Sequence, residues 1–213
     1  MALRQLAPHA APGPANEAMT IEAAQAVVLI VATIAMGLMA GVFGLYSNTI
    51  MRGLGATDDR TFVGAFQAID RAILNPLFML AFVGALVSTG MAAVLYIADD
   101  GGPVLPWVVV AFVLYLAVFV ITIAINVPLN DALKAAGDPD QIADLAAVRR
   151  DFNESRWLAW NHVRTIATLV AFGCLAWGLV LHGRETASTD AAAARTLVAD
   201  TELAAPAAAG PEG

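Results

Sequence analysis

The sequence has 213 residues, of which 59% are hydrophobic and only 14% are charged, and its mean hydropathy is +0.72. In a soluble domain of this size about a quarter of the residues are charged, so the composition argues against a soluble globular protein. The formal net charge is −7 and no basic stripe marks a nucleic-acid surface, so we expect no nucleic-acid partner. The single cysteine, Cys174, argues against a disulfide framework or a thiolate metal site.

The first segment, residues 1–21, is rich in alanine and proline and lacks helical periodicity, which predicts a disordered N-terminal tail. Met19 is an alternative start to Met1. We expect no cleaved signal peptide, because the apolar run that follows is longer than a signal core and leads into "YSNTIMRG" instead of a small-residue cleavage site.

Four apolar runs are long enough to cross a bilayer, which takes about 20 helical residues at about 1.5 Å each. They comprise residues 23–45, 74–97, 104–127 and 163–181. We therefore predict an all-α, polytopic membrane protein whose residues 22–182 form a four-transmembrane-helix bundle in the lipid bilayer. The acidic, low-complexity residues 183–213 are predicted to form a disordered C-terminal tail.

The connections between the runs differ in character. Two of them carry an apolar stripe at helical spacing, which predicts amphipathic helices at one membrane surface. The stripe residues are Phe62, Phe66, Ile69 and Ile73 in the first connection, and Ile142, Leu145, Val148 and Phe152 in the third. The second connection, "ADDGGP", predicts only a tight turn.

Most of the basic residues lie in the first and third connections. They are Arg52, Arg60, Arg71, Lys134, Arg149, Arg150 and Arg156. Because cytoplasmic loops carry an excess of lysine and arginine, we expect these two connections in the cytoplasm and both termini outside. Frequent alanine and glycine suggest a bacterium with GC-rich DNA, and so an inner (plasma) membrane.

Polar residues concentrate at the ends of the four runs that share the side of the first and third connections, whereas the opposite ends have no comparable set. They are Tyr46, Ser47, Asn48, Asp70, Arg71, Asn75, Asn126, Asn130, Asp131, Trp157, Trp160, Asn161, His162, Arg164 and Thr165. Because an unpaired polar group costs several kcal/mol in hydrocarbon, the set predicts a polar pocket between helices.

In the third run, Thr122, Asn126 and Asn130 follow one helical line, and Tyr115 lies close to the same line. Pro128 interrupts the backbone hydrogen-bond ladder between the two asparagines. This polar stripe must face other helices or water, so we place it in the pocket.

In the fourth run, Trp157, Asn161 and Arg164 share a line. An arginine about one turn inside the apolar boundary requires a partner, and Asp70 or Asp131 supplies the available carboxylate. The alternative for each residue alone is structural. Asparagines can merely bond across helices, tryptophans can anchor the interface, and an arginine can snorkel to phosphates.

Gly37, Gly41 and Gly44 of the first run form a small-residue face for close helix packing, and Asn48 continues that face.

Four stretches of the sequence carry a family resemblance, namely "YSNTIMRGL", "FQAIDRAILNPLFM", "NVPLNDAL" and "WLAWNHVRT", in this order. Over residues 23–181 the sequence resembles the anthrone oxygenase-like, four-span integral membrane proteins. The fungal namesakes of that family oxidise anthrones to anthraquinones during polyketide assembly. The resemblance implies oxidation of an apolar, aromatic small molecule.

Such a reaction requires a base, donors for a developing oxyanion and an apolar slot for flat rings. We predict His162 as the base, because histidine is the side chain most often used for general acid–base catalysis and His162 lies at the start of the fourth run. The other predicted site residues are Asn161 and Arg164 as catalytic donors, and Asn126, Asn130, Trp157, Trp160, Asn75, Asn48 and Tyr115 as substrate-binding residues. A deprotonated anthrone can itself transfer an electron to dioxygen, so no cofactor is evident.

Two alternatives stay open. His162 and His182 are twenty residues apart, about 30 Å along a helix, so they cannot ligate one haem together. A haem or metal held by one histidine is still compatible with the sequence, although no metal-ligand set is predicted. The second alternative is a non-enzymatic membrane protein: a small-molecule binder, a transport accessory or a structural partner. Transport by one four-helix chain would require a homo-oligomer.

Overall fold

A computed structural model of the chain describes residues 14–204, with side-chain detail for residues 21–201. Within residues 14–204 the chain is helical and has no strand. The α-helices are α1 (Pro14–Leu45), α2 (Met51–Gly55), α3 (Asp59–Ile73), α4 (Pro76–Ala98), α5 (Leu105–Ile121), α6 (Val127–Ala135), α7 (Leu145–Phe152) and α8 (Glu154–Ala204). The predicted all-α fold is confirmed.

Four helical stretches are long and apolar enough to span a membrane. They are Ile21–Gly55, Pro76–Ala98, Leu105–Ala135 and Leu145–Thr201. In the bundle, α1 packs against α4 and α8, and α5 packs against the same two helices. Each main helix thus has two neighbours and one face toward the exterior. The protein is an integral membrane protein, as its hydropathy predicts.

Two short π-helical segments, Tyr46–Ile50 and Thr122–Asn126, interrupt the first and third spans. In each, a backbone amide bonds to the carbonyl five residues earlier instead of four, namely the amide of Met51 in the first span and of Val127 in the third. Pro128 follows directly and has no amide to donate, so the predicted interruption of the ladder is present. Single π-helical turns of this kind often occur at functional sites.

The first and third connections fold over one end of the bundle, called here the site end. Asp58 caps α3 by accepting a hydrogen bond from the Thr61 amide at 2.9 Å, and this bond lowers the pKa of the Asp58 carboxyl. The apolar stripes of α3 and α7 face inward, with Phe66 and Phe152 in contact at 4.7 Å between ring centroids. The two predicted amphipathic connections are confirmed.

Helix α8 extends further than the sequence predicts. The predicted fourth run ended at residue 181 and a disordered tail began at residue 183, but the structure is helical to Ala204. Alanine is the strongest helix former, and the Ala-rich segment therefore continues the helix beyond the apolar run. Helix α1 likewise begins at Pro14, inside the predicted N-terminal tail of residues 1–21. The rest of the two predicted tails, residues 1–13 and 205–213, lies outside the described residues.

Candidate functional site

A cavity of about 300 Å³ lies at the site end between α1, α3, α4, α8 and the third span. Its volume is at the lower end of the range for small-molecule sites. The polar residues that line it are Tyr46, Asp70, Thr122, Asn126, Asn130, Asp131, Lys134 and Arg164. The aromatic residues that line it include Phe43, Phe66, Phe78, Phe82, Phe119 and Trp157. The cavity therefore combines flat apolar walls with a few convergent polar groups.

Arg164 is the buried cation of this cavity, with only 5% of its surface exposed. Its guanidinium donates to Thr122 Oγ1 at 3.1 Å and to Asn161 Oδ1 at 2.7 Å, and it lies 4.6 Å from the ring centroid of Phe43. Nε is buried without a hydrogen-bond partner among the described residues. The groups that contact the guanidinium are thus neutral side chains and an aromatic ring, so its positive charge can form an ion pair with an anion bound in the cavity.

Asn161 holds that guanidinium in place. Its amide nitrogen donates to the carbonyl of Phe43 at 3.0 Å and to Ser47 Oγ at 2.7 Å, while its oxygen accepts from Arg164. All its polar atoms are thus occupied by the first and fourth spans. Asn161 is fully buried and does not line the cavity, so it acts as a positioning residue.

The expected pairing of Arg164 with Asp70 or Asp131 is wrong, because both carboxylates form ion pairs with Lys134. Nζ of Lys134 lies 2.9 Å from Asp70 Oδ2 and 2.9 Å from Asp131 Oδ1. The Asp70 contact is an ion pair whose geometry falls short of a directed hydrogen bond. Asp70 is nearly buried, whereas Asp131 is exposed. Among the residues with described side chains, no carboxylate lies within ion-pair distance of Arg164.

Asn130 and Trp157 connect Asp70 to the aromatic wall. The Asn130 amide donates to Asp70 Oδ1 at 2.7 Å, and its oxygen accepts from the Trp157 indole at 2.7 Å. One turn deeper, the Asn126 amide donates to the Trp157 carbonyl at 3.3 Å. Asn126 Oδ1 is buried without a partner in the described part of the chain, so this cavity residue has an acceptor to offer.

His162, the predicted base, does not line the cavity. Successive helical residues are about 100° apart, so turning Asn161 and Arg164 inward turns His162 outward. It is exposed on α8, beside the exposed Val163. Trp160 lies on the other flank of the helix, is half-buried and does not line the cavity either.

Three further predicted residues are elsewhere. Asn75 is exposed and caps α4, because its side chain accepts from the Phe78 amide at 3.0 Å. Asn48 is also exposed. Of the predicted glycine face, Gly37 packs closely, since a Cβ there would lie 3.0 Å from the Phe172 ring, whereas Gly41 has open space around it.

Tyr115 is fully buried in the bundle core, where its hydroxyl donates to the carbonyl of Phe82 at 3.1 Å. It therefore lies beyond the cavity lining. Two further residues line the cavity. Asp70 was in the predicted polar set, as a carboxylate for Arg164 and not as a site residue, whereas Lys134 was in neither. The signal for Lys134 was available, since it continues the line of Asn126 and Asn130 at the next i+4 step.

The opposite end of the bundle is more polar than predicted. A second cavity of about 250 Å³ lies there, with Glu22, Gln25, Asp99 and Glu185 in its lining. The hydroxyl of Tyr96 and Nδ1 of His182 also meet there at 3.0 Å. The extension of α8 beyond residue 181 supplies part of this set, which is why the apolar runs alone did not indicate it.

The cavity at the site end separates its charges along the membrane normal. Arg164 is anchored at Thr122 and Asp70 at Asn130, and these two anchors are eight residues apart, about 12 Å along the third span. A cation thus stands at the deep end and a carboxylate near the mouth, with aromatic walls between them. The arrangement suits a flat molecule that loses a proton at one edge and carries negative charge at the other.

The family model described as anthrone oxygenase matches residues 78–174. This range includes the "NVPLNDAL" and "WLAWNHVRT" stretches, whereas "YSNTIMRGL" precedes it. No curated protein and no solved structure matches the chain. The match confirms the resemblance that the motifs indicate: residues 78–174 are similar to the anthrone oxygenase family.

Proposed function

We propose that the protein oxidises an apolar, aromatic ketone of the anthrone type with dioxygen inside the cavity at the site end. The single observation that carries the proposal is the buried guanidinium of Arg164, which stands in an aromatic-lined cavity without a carboxylate partner among the described residues. A cation kept free in a low-dielectric site stabilises a developing oxyanion far more than it would in water.

The roles follow from the two ends of the cavity. An anthrone has its carbonyl oxygen and its acidic methylene on opposite edges of the central ring. With the oxygen at Arg164, the methylene faces the mouth, where Asp70 can accept its proton. Phe66, Phe78 and Trp157 bound the slot for the rings. The ion pair with Lys134 and the bond from Asn130 orient the Asp70 carboxylate.

The reaction balances with dioxygen as the only co-reactant. Asp70 takes one methylene proton, and the resulting anion transfers one electron to dioxygen. The carbon radical and superoxide combine into a carbon–oxygen bond, and the hydroperoxide anion takes a proton. Loss of the second proton from the same carbon breaks the oxygen–oxygen bond and releases water. Anthrone and dioxygen thus give anthraquinone and water.

A non-enzymatic role is the rival, and it has its own support. Asn161, Ser47 and Thr165 bond to one another or to backbone carbonyls across the first and fourth spans. This part of the polar set serves helix packing, as a binder or structural partner would also require. The two functions therefore differ in what they expect of Arg164 and Asp70, and not of the packing network.

We also propose that the site end faces the cytoplasm of a bacterial inner membrane. The two connections at that end carry seven of the lysines and arginines, and the positive-inside bias supports this orientation. Protons removed at Asp70 would then leave toward the cytoplasm.

The first prediction concerns the free cation. Arg164→Gln should lower the turnover of 9-anthrone by roughly 100-fold or more, the loss typical of removing one oxyanion donor. Removal of a buried, unpaired charge should leave the fold intact, which a thermal melt in detergent checks. The matched control is Arg184→Gln, an exposed arginine on the same helix. A folded Arg164→Gln protein with turnover within about twofold of the wild type would contradict the proposal.

The second prediction separates the two candidate bases. Asp70→Asn should reduce anthrone-dependent oxygen consumption by roughly 100-fold or more, because a positioned base contributes about that factor. His162→Ala should stay within about twofold of the wild type, since its side chain is exposed on the outer face of α8. The opposite pattern would return the base role to His162.

The third prediction discriminates the site from the packing network. Asn161→Ala should lower the free energy of unfolding by roughly 1–3 kcal/mol, because the Phe43 carbonyl and the Arg164 guanidinium lose a buried partner. Asn126→Ala loses one long bond and should destabilise less, yet it should lower turnover. Equal destabilisation by both changes, with unchanged turnover per folded Asn126→Ala protein, would favour the non-enzymatic role.

The fourth prediction tests orientation. In a Cys174→Ala background, a membrane-impermeant maleimide added to intact cells should label Pro103→Cys in the turn between α4 and α5. It should label Asp138→Cys only after the membrane is broken, because that exposed residue lies at the site end. Labelling of Asp138→Cys in intact cells, with Pro103→Cys protected, would reverse the orientation.

A further inference from the structure

The wall of the cavity between α4 and the third span consists of residues that also face the exterior of the bundle. Five apolar lining residues are between 37% and 56% exposed: Leu74, Met79, Val83, Ile123 and Val127. Met79, Val83, Ile123 and Val127 belong to two membrane-spanning stretches, so the surface that they expose outside the cavity faces hydrocarbon. Leu74 follows α3 and lies at the site-end edge of this wall. The cavity is therefore open sideways at the depth of the membrane core.

The two edges of this opening follow regular helical lines. Met79 and Val83 are one turn apart on α4, and Ile123 and Val127 are one turn apart on the third span. Toward the opposite end of the bundle the helices approach closely, since a Cβ placed on Gly90 would lie 3.1 Å from the Phe112 ring. Phe82 and Phe119, stacked at 5.0 Å between centroids, close the gap above the opening. These two contacts close the space between the helices on the side of the opening away from the site end.

Polarity along the opening changes in one direction. The line of Ile123 and Val127 continues to Asp131, which pairs with Lys134 nearer the membrane surface. Water can reach that charged end, whereas the exposed rim above it is apolar. A charged molecule dissolved in water would have to pass the Lys134 cluster to reach Arg164. An uncharged molecule in the bilayer meets only apolar side chains.

We propose that the substrate enters laterally from the hydrocarbon layer, through the opening between α4 and the third span. The ligand class is a flat, uncharged, membrane-dissolved molecule that becomes an anion only beside Arg164. This route rests on the proposed function in taking the ligand to be apolar, but the opening itself is independent of the reaction. Its test therefore uses no turnover.

The test measures which collision partner reaches the cavity. In a Cys174→Ala background, a nitroxide attached to Val42→Cys, a lining residue on α1, is studied by power-saturation electron paramagnetic resonance in lipid nanodiscs. Dissolved oxygen concentrates in hydrocarbon and a nickel chelate remains in water. Labels at Val113→Cys and Asp138→Cys supply the lipid and water references, because both residues are exposed.

We expect the cavity label to collide with oxygen within about twofold of the Val113 reference, and with the nickel chelate far less than the Asp138 reference. Val83→Trp, or Ile123→Trp if the first variant does not fold, should narrow the opening and reduce oxygen collisions at least twofold. Val94→Trp, on an exposed α4 residue away from the cavity, should change nothing. Nickel collisions equal to the water reference, or unchanged oxygen collisions in a folded rim variant, would overturn lateral access.

The two proposals fail in distinguishable ways. Loss of the lateral route would appear in the collision data and would leave the effect of Arg164→Gln on turnover in place. Absence of turnover in the wild-type protein would remove the oxygenase reaction, whereas the collision data would still report the opening.

Discussion

The buried guanidinium of Arg164 is the constraint around which the site end is arranged. A cation inside a membrane helix is costly, and it persists only where other groups replace its hydration. Here the replacement is Thr122, Asn161 and the ring of Phe43, which come from three different spans. Because none of these groups is negative, the helices are held together without neutralising the charge. Neutralisation is left to whatever fills the cavity.

The two π-helical segments let the backbone change its geometry beside the cavity. Backbone that is exposed to lipid must have every amide and carbonyl bonded, and a continuous helix meets this requirement. The π-helical segments Tyr46–Ile50 and Thr122–Asn126 change the hydrogen-bond spacing without leaving the helix. Both contribute to the lining, through Tyr46 from the first span and through Thr122 and Asn126 from the third. The local departure from α-helical geometry and the polar site thus coincide.

The sequence predicts the spans, the two amphipathic connections and the end of the bundle that carries the site, because hydropathy and periodicity report these directly. It also brings Asn126, Asn130 and Arg164 to the cavity, since a polar stripe inside a span must avoid lipid. The sequence does not show which polar residues near the membrane surface face away from the cavity. Asn75 caps a helix, and His162 turns outward. Lipid and protein neighbours are both apolar, so hydropathy alone does not fix the rotation of a helix about its axis. The role of Lys134 in the cavity is hard to predict, because a lysine near the membrane surface is equally well explained by the excess of basic residues in cytoplasmic loops.

Charge compensation in the cavity differs with depth, and this difference gives the site a direction. At the mouth, Lys134 pairs with both Asp70 and Asp131, so this cluster has a cation of its own and one net negative charge. At the deep end, Arg164 is not balanced by any described carboxylate and attracts negative charge strongly in a dry environment. A neutral ligand that enters through the lateral opening avoids this cluster and gains its electrostatic stabilisation at Arg164 only on losing a proton. That differential stabilisation of the ionised form, and not tight binding of the neutral one, is what catalysis of proton removal requires.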